Sequence, residues 1–236
     1  MTLFKSIQIV LLAFLLQAET CAEKDYGPEK KVVRDVGMFT AIEVSDGIDV
    51  YLSQGELEPL VVEAQEQLID DLITEVKDDV LKIYIDRATT FMMTARVHVT
   101  VPNIEKIETS GGSDLIAETV IVGRELILEA SEGSDIKMEV EVEHLGIKTS
   151  GGSDVDVSGT ADKLVAKTSG GSDLSGFGLV VHKAKVESSG GSDIEIHVLD
   201  ELSAIASGGS DIVYKGNPTD LKIESSSSAD VTHRDE

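Results

Sequence analysis

Seven aspartates recur down this chain at nearly constant spacing, and carboxylates set close together can hold a cation. They are Asp114, Asp135, Asp154, Asp173, Asp193, Asp211 and Asp230, at steps of 21, 19, 19, 20, 18 and 19 residues. Five of them close the phrase Ser-Gly-Gly-Ser-Asp, beginning at Ser110, Ser150, Ser169, Ser189 and Ser207. Ser131-Glu132-Gly133-Ser134-Asp135 is a variant, and Ser226-Ser227-Ser228-Ala229-Asp230 is a decayed copy. Two chemistries fit the phrase. One is a calcium or other cation ladder. The other is a corner, in which the glycine pair supplies positive φ and the Ser and Asp side chains bond the backbone. If equivalent residues stack, neighbouring carboxylates lie about 4.8 Å apart. They then repel by about 0.9 kcal/mol in water and about 3.5 kcal/mol at an effective dielectric of 20. The repeat step also differs from the nonapeptide of calcium-binding β-rolls. The corner is therefore the leading reading, with no cofactor, and calcium is the alternative.

Other reactive groups do not form a recognisable constellation. His98, His144, His182, His197 and His233 lack metal-ligand spacing, and there is no His-Glu-x-x-His. Despite the many serines there is no Gly-x-Ser-x-Gly elbow and no phosphate loop. Asp70-Asp71 and Asp78-Asp79 are adjacent acids. Adjacent residues on a strand point to opposite faces, so neither pair resembles a glycosidase couple. A polysaccharide lyase or hydrolase is the enzyme rival by fold analogy, but the uniform repeats leave no room for the long loops that build such clefts. The expectation is a protein that is not an enzyme.

The elements that carry the aspartates are strands. Leu81-Lys82-Ile83-Tyr84-Ile85 and Ile136-Lys137-Met138-Glu139-Val140-Glu141-Val142 alternate apolar and polar residues with period two. A helix fits only within residues 63–76, and Leu72-Ile73-Thr74-Glu75-Val76 within it reads better as a strand. Each repeat is two or three short strands that cannot bury an apolar face alone, so neighbours must stack. The fold class expected is all-β: a single-stranded, right-handed parallel β-helix, or β-solenoid, of roughly ten coils of about 19 residues. Ser45-Asp46-Gly47-Ile48-Asp49 is a worn earlier copy, and the 65 residues from Asp49 to Asp114 leave room for about three further coils. The domain spans 35–231, after a linker at 23–34 and before a tail at 232–236. Residues 33–51 are expected to cap the N-terminal end, where strand edges would otherwise lie open. The polar stretch 225–236 is expected to trail from the other end.

With 44 acidic and 20 basic side chains the net charge is −24. That balance disfavours nucleic acid and polybasic docking on anionic lipid. Aromatics are 4% and Trp is absent, so the core must be Val, Ile and Leu. Lys5 followed by the short apolar run from Ile7 to Leu16 reads as an export signal over 1–22. Two exits fit: cleavage after Ala22, or lipidation of Cys21. Cys21 is the only cysteine, so the mature domain has no disulfide and no thiolate metal site. Membrane contact is then expected only through such a lipid anchor.

The repeated phrase, the entry Phe39-Thr40-Ala41-Ile42-Glu43-Val44-Ser45-Asp46-Gly47-Ile48-Asp49-Val50, and Leu60-Val61-Val62-Glu63-Ala64 together resemble the bacterial putative auto-transporter adhesin, head GIN domain family. The resemblance covers about residues 33–231. It implies a β-helical fold and an exported protein of a Gram-negative bacterium, periplasmic, secreted or on the outer membrane. It implies no catalytic residues. The function expected is surface attachment to an unidentified carbohydrate or protein ligand, against the alternative of a structural envelope protein without a ligand.

Overall fold

Alternation puts every second side chain on one side of a strand, and in this chain that side closes around a common axis. The computed structural model describes residues 27–86, 95–226 and 228–235; the export signal and Cys21 lie outside the described residues. The strands are β1 (Glu29–Arg34), β2 (Ala41–Val44), β3 (Ile48–Gln54) and β4 (Leu60–Gln65), then the short helix α1 (Glu66–Ile69). After it come β5 (Leu72–Lys77), β6 (Val80–Ile85), β7 (Ala95–Val101), β8 (Lys106–Thr109), β9 (Asp114–Ala117) and β10 (Ile121–Ser131). Four long strands follow: β11 (Asp135–Ser150), β12 (Asp154–Ser169), β13 (Asp173–Ser189) and β14 (Asp193–Ser207). The last are β15 (Asp211–Lys215), β16 (Asp220–Ser225) and β17 (Asp230–His233).

Each long strand starts at the aspartate of one phrase and ends at the first serine of the next. In these coils the glycine pair is the main break, and most residues between two corners pair with the coils on either side; the register shifts at Asp156/Gly159, Gly176/Val180 and Val181/Lys183. Pairing is parallel and in register: Asp135 lies beside Asp154, and Asp154 beside Asp173. Leu126, Leu145, Leu164, Ala184 and Leu202 stack in one inward column, and Ile136, Val155 and Leu174 in another, all buried. Burying each Leu or Ile contributes about 1.5–3 kcal/mol, and this repetition closes a core in which Phe39 and Tyr214 are the only buried rings among the described residues.

The stack has about seven turns, not ten. The shortfall lies between Asp49 and Asp114. These two residues are neighbouring rungs, because β3 pairs directly with β9, Val50 beside Leu115. In place of three coils the intervening chain builds one further rung, β6–β7, and an end structure. There β4 runs antiparallel to both β1 and β7, and β5 and β6 form a hairpin. Asp78 and Asp79, with φ of 51° and 63°, make its two-residue turn, the left-handed conformation such a hairpin requires. The cap is thus β1, β4, α1 and β5, whereas β2 and β3, expected to cap, sit inside the stack between β6–β7 and β8–β9.

Both ends of the expected domain extend further. Glu29–Arg34, read as linker, is a strand whose Lys30 and Lys31 point outward to Glu66 and Glu63. The Arg34 guanidinium donates to the carbonyls of Ile69 and Leu72 at 2.8 and 2.7 Å, tying β1 to the end of α1. The stretch read as trailing holds β17, which pairs with β15, Asp230 beside Asp211. A polar composition hides such strands because a terminal rung has one face to bury and one neighbour to bond. Leu221 and Ile223, stacked over Leu202 and Ala204, stay 45% and 41% exposed because no further coil covers them.

Candidate functional surface

The corner is built from three columns. The glycines of each complete phrase all have positive φ, between 62° and 78°, as do Asp46 (69°) and Gly47 (73°) in the worn copy and Glu132 (58°) and Gly133 (73°) in the variant. The first glycine also lies against its counterpart one coil earlier: a Cβ on Gly170 would sit 3.2 Å from the Gly151 nitrogen.

The second column is the serine before each aspartate. Ser113, Ser134, Ser153, Ser172, Ser192 and Ser210 are fully buried. The Ser172 hydroxyl oxygen accepts from the N–H groups of Gly152 and Ser153, both at 3.1 Å, and Ser192 does the same for Gly171 and Ser172. Ser113 serves Gly47 and Ile48 likewise. Ser113, Ser153, Ser172 and Ser192 thus satisfy the corner of the preceding rung, whereas Ser134 and Ser210 accept from the N–H of Ser131 and Ser207 in their own phrase; without these hydroxyls the corners would hold unpaired donors.

The third column holds the seven aspartates. Oδ1 of Asp114, Asp135, Asp154, Asp173, Asp193 and Asp211 accepts the backbone N–H of the next aspartate in the series, at 3.1–3.3 Å. The bonding expected within each turn runs instead from coil to coil. Charge-assisted bonds of this kind offset the repulsion within the column. Burial, with Asp135 and Asp49 alongside, pushes the Asp114 carboxyl above the usual range. Burial also raises Asp49, and Arg96 opposes that rise.

The histidines do not converge. His98 stacks on Tyr51 at 5.0 Å, His182 Nδ1 lies 2.8 Å from Asp200, and His233 Nε2 lies 2.8 Å from the Gly216 carbonyl. Among the described residues no three His, Cys, Asp or Glu side chains gather where they could hold a metal ion. Asp70-Asp71 and Asp78-Asp79 lie in the turns flanking β5.

The outer faces differ in charge, which no single repeat displays. Where β11, β12 and β13 run into their corners, the outward positions are His144, Gly146 and Lys148; Lys163, Val165 and Lys167; and Lys183, Lys185 and Glu187. These nine positions hold five lysines and one carboxylate in a chain of charge −24, with Glu125 at one end of the face and Glu201 and Asp220 at the other. Two open depressions on this face share Lys163 and Val165 and so form one trough running along the stack. Aligning the repeats on their phrases would have brought these lysines together.

Solved structures share this architecture. A putative adhesin from Bacteroides fragilis NCTC 9343 is 20% identical, covering 89% of this chain and 97% of that one, with a TM-score of 0.81. A putative adhesin from Parabacteroides merdae ATCC 43184 is 21% identical over 88% and 95%, with a TM-score of 0.71. A protein from Parabacteroides distasonis ATCC 8503, described as a putative lipid binding protein, is 17% identical over 88% and 97%, with a TM-score of 0.67. At these identities the likeness shows a common fold. No curated protein matches the sequence. The model of one family matches residues 38–218, most of the repeat domain. With that match over a β-solenoid of stacked Ser-Gly-Gly-Ser-Asp corners, the chain belongs to the family described as putative auto-transporter adhesin, head GIN domain.

Proposed function

We propose that this protein is an exported, non-catalytic binding protein that attaches to a carbohydrate or protein ligand through the outer faces of its solenoid. Residues 1–22 direct export, and the mature chain begins either after Ala22 or at a lipidated Cys21. The observation that carries the reading is the regular outer surface. Outside local register shifts in β12–β14 the coils stack in parallel register, so outward side chains form columns on a continuous sheet, and the charged groups sit on open faces. Such a surface suits multipoint attachment to an extended partner.

The test uses the purified mature chain on whole bacterial and host cells and on a glycan array. Saturable binding supports the reading. Binding to neither would overturn it in favour of a structural envelope protein without a ligand. Mass spectrometry of the native N-terminus distinguishes a diacylated Cys21 from a free Glu23; an intact Met1 would refute export through this leader.

A further inference from the structure

We infer that the lysine-lined trough across β11, β12 and β13 binds a linear acidic polysaccharide, a proposal that rests on the binding function above and names its ligand class. The trough has a middle column and two flanks. Its middle column runs through Gly146 and Val165, and Val165 is 48% exposed. On one flank Lys148 stands beside Lys167, and on the other Lys163 stands beside Lys183. Neighbouring rungs are about 4.8 Å apart, and the flanks are four residues, or about 13 Å, apart along the strands. A chain lying along the stack would rest its ring faces on Val165 and the notch at Gly146 and offer carboxylates to either side.

Two of the five cations are unpaired. Lys167 and Lys185 share Glu187, at 2.8 and 3.3 Å, and Lys183 pairs with Glu201. Lys148 and Lys163 make no ion pair with any described residue. Charge density selects the polyanion. Duplex DNA carries one charge per ~1.7 Å, or about six over the two rung steps, well beyond what the two unpaired lysines of a strongly acidic protein can neutralise. A glycan with at most one carboxylate per sugar carries far fewer. The face offers no Phe, Tyr or Trp ring on which a base could stack; its one ring is the half-buried imidazole of His144. The lysines stand on an open sheet with a single exposed valine, not over an enclosed apolar pocket, so lipid acyl chains have nowhere to go.

The experiment measures binding of the mature chain to polygalacturonate, with dextran, duplex DNA and phosphatidylglycerol vesicles as separate arms. Polygalacturonate should bind and dextran should not. For two released counterions, raising salt from about 50 to about 200 mM should weaken binding about tenfold. K148E/K163E should lose binding about tenfold or more, whereas K137E, on another face, should keep it. K148Q/K163Q is the second variant, and circular dichroism verifies that each is folded. Wild-type affinity in a folded K148E/K163E, equal binding of dextran, or preference for DNA or vesicles would overturn the inference. Cell attachment that survives K148E/K163E unchanged would refute the trough while leaving the broader function standing. Failure of the wild type to bind either cells or the glycan array would refute that function itself.

Discussion

Gly159 and Gly152 lie seven residues apart in one repeat, yet the structure sets different penalties for a methyl group at each. Gly159 lies within β12 opposite Val140, with φ of 102°, and a Cβ there would stand 2.0 Å from the Val140 carbonyl oxygen. No rotamer relieves that contact, because both atoms belong to the ladder. The strand must move outward by more than an ångström and lose bonds on either side. A strained φ costs about 1–3 kcal/mol, and two lost ladder bonds add about 0.5–1.5 kcal/mol each. Gly159→Ala should therefore cost about 4 kcal/mol. Gly152 has φ of 75°, and its Cβ would meet nothing within 4 Å. Only the left-handed conformation opposes Ala there, at about 1–2 kcal/mol. Glu132, at φ of 58° in the variant corner, already accepts such a conformation. For a domain of this size each kcal/mol moves the melting temperature by about 2–4 °C. Thermal and urea denaturation should show a drop of about 2–8 °C for Gly152→Ala and about 8–16 °C for Gly159→Ala. A Gly159→Ala loss no larger than that of Gly152→Ala would refute the close-approach argument.

Four other outcomes follow from the columns, the cap and the open end. Asp154→Ala removes the acceptor for the Asp173 N–H, at 3.1 Å, whereas Asp154→Asn keeps it; urea titration should show Ala about 1–3 kcal/mol the less stable, and equal stability would refute the ladder. The hydrogen bond from Lys31 holds Glu63 below the usual carboxylate range. Its stabilisation is present above the unfolded carboxyl value and is lost as pH falls through the lower folded one, so Glu63→Gln should flatten the acid limb of the stability–pH curve. Asp114, raised, works in the opposite sense: its contribution is present below the ordinary Asp value and is lost as pH rises through the folded one. Asp114→Asn should abolish that loss, and an unchanged pH curve for either variant would count against its cause. Leu202→Ala, at a fully packed position, should cost about 2–5 kcal/mol. Leu221→Ala, one rung on and 45% exposed, should cost about half as much, and equal losses would mean that another molecule covers the open end.

Sequence alone determined the coil. Period-two alternation and a corner phrase every 18–21 residues specify stacked strands, because a unit that cannot bury its own apolar face must lie on a copy of itself. The worn corner at Asp46-Gly47 was legible for the same reason: positive φ narrows the choice of residue. Which coil lies on which was decided only in three dimensions. Backbone ladders form between any two strands of matching shape, so a detour of 65 residues separates neighbouring rungs Asp49 and Asp114, and no local pattern marks it. The aspartate bonds, and those of Ser113, Ser153, Ser172 and Ser192, were hidden likewise, because they reach from one coil to another, most of them about 20 residues away along the chain. The lysine trough has the same origin. Lys148, Lys163, Lys167 and Lys183 are scattered among acids in the sequence and share a face only because parallel register stacks them.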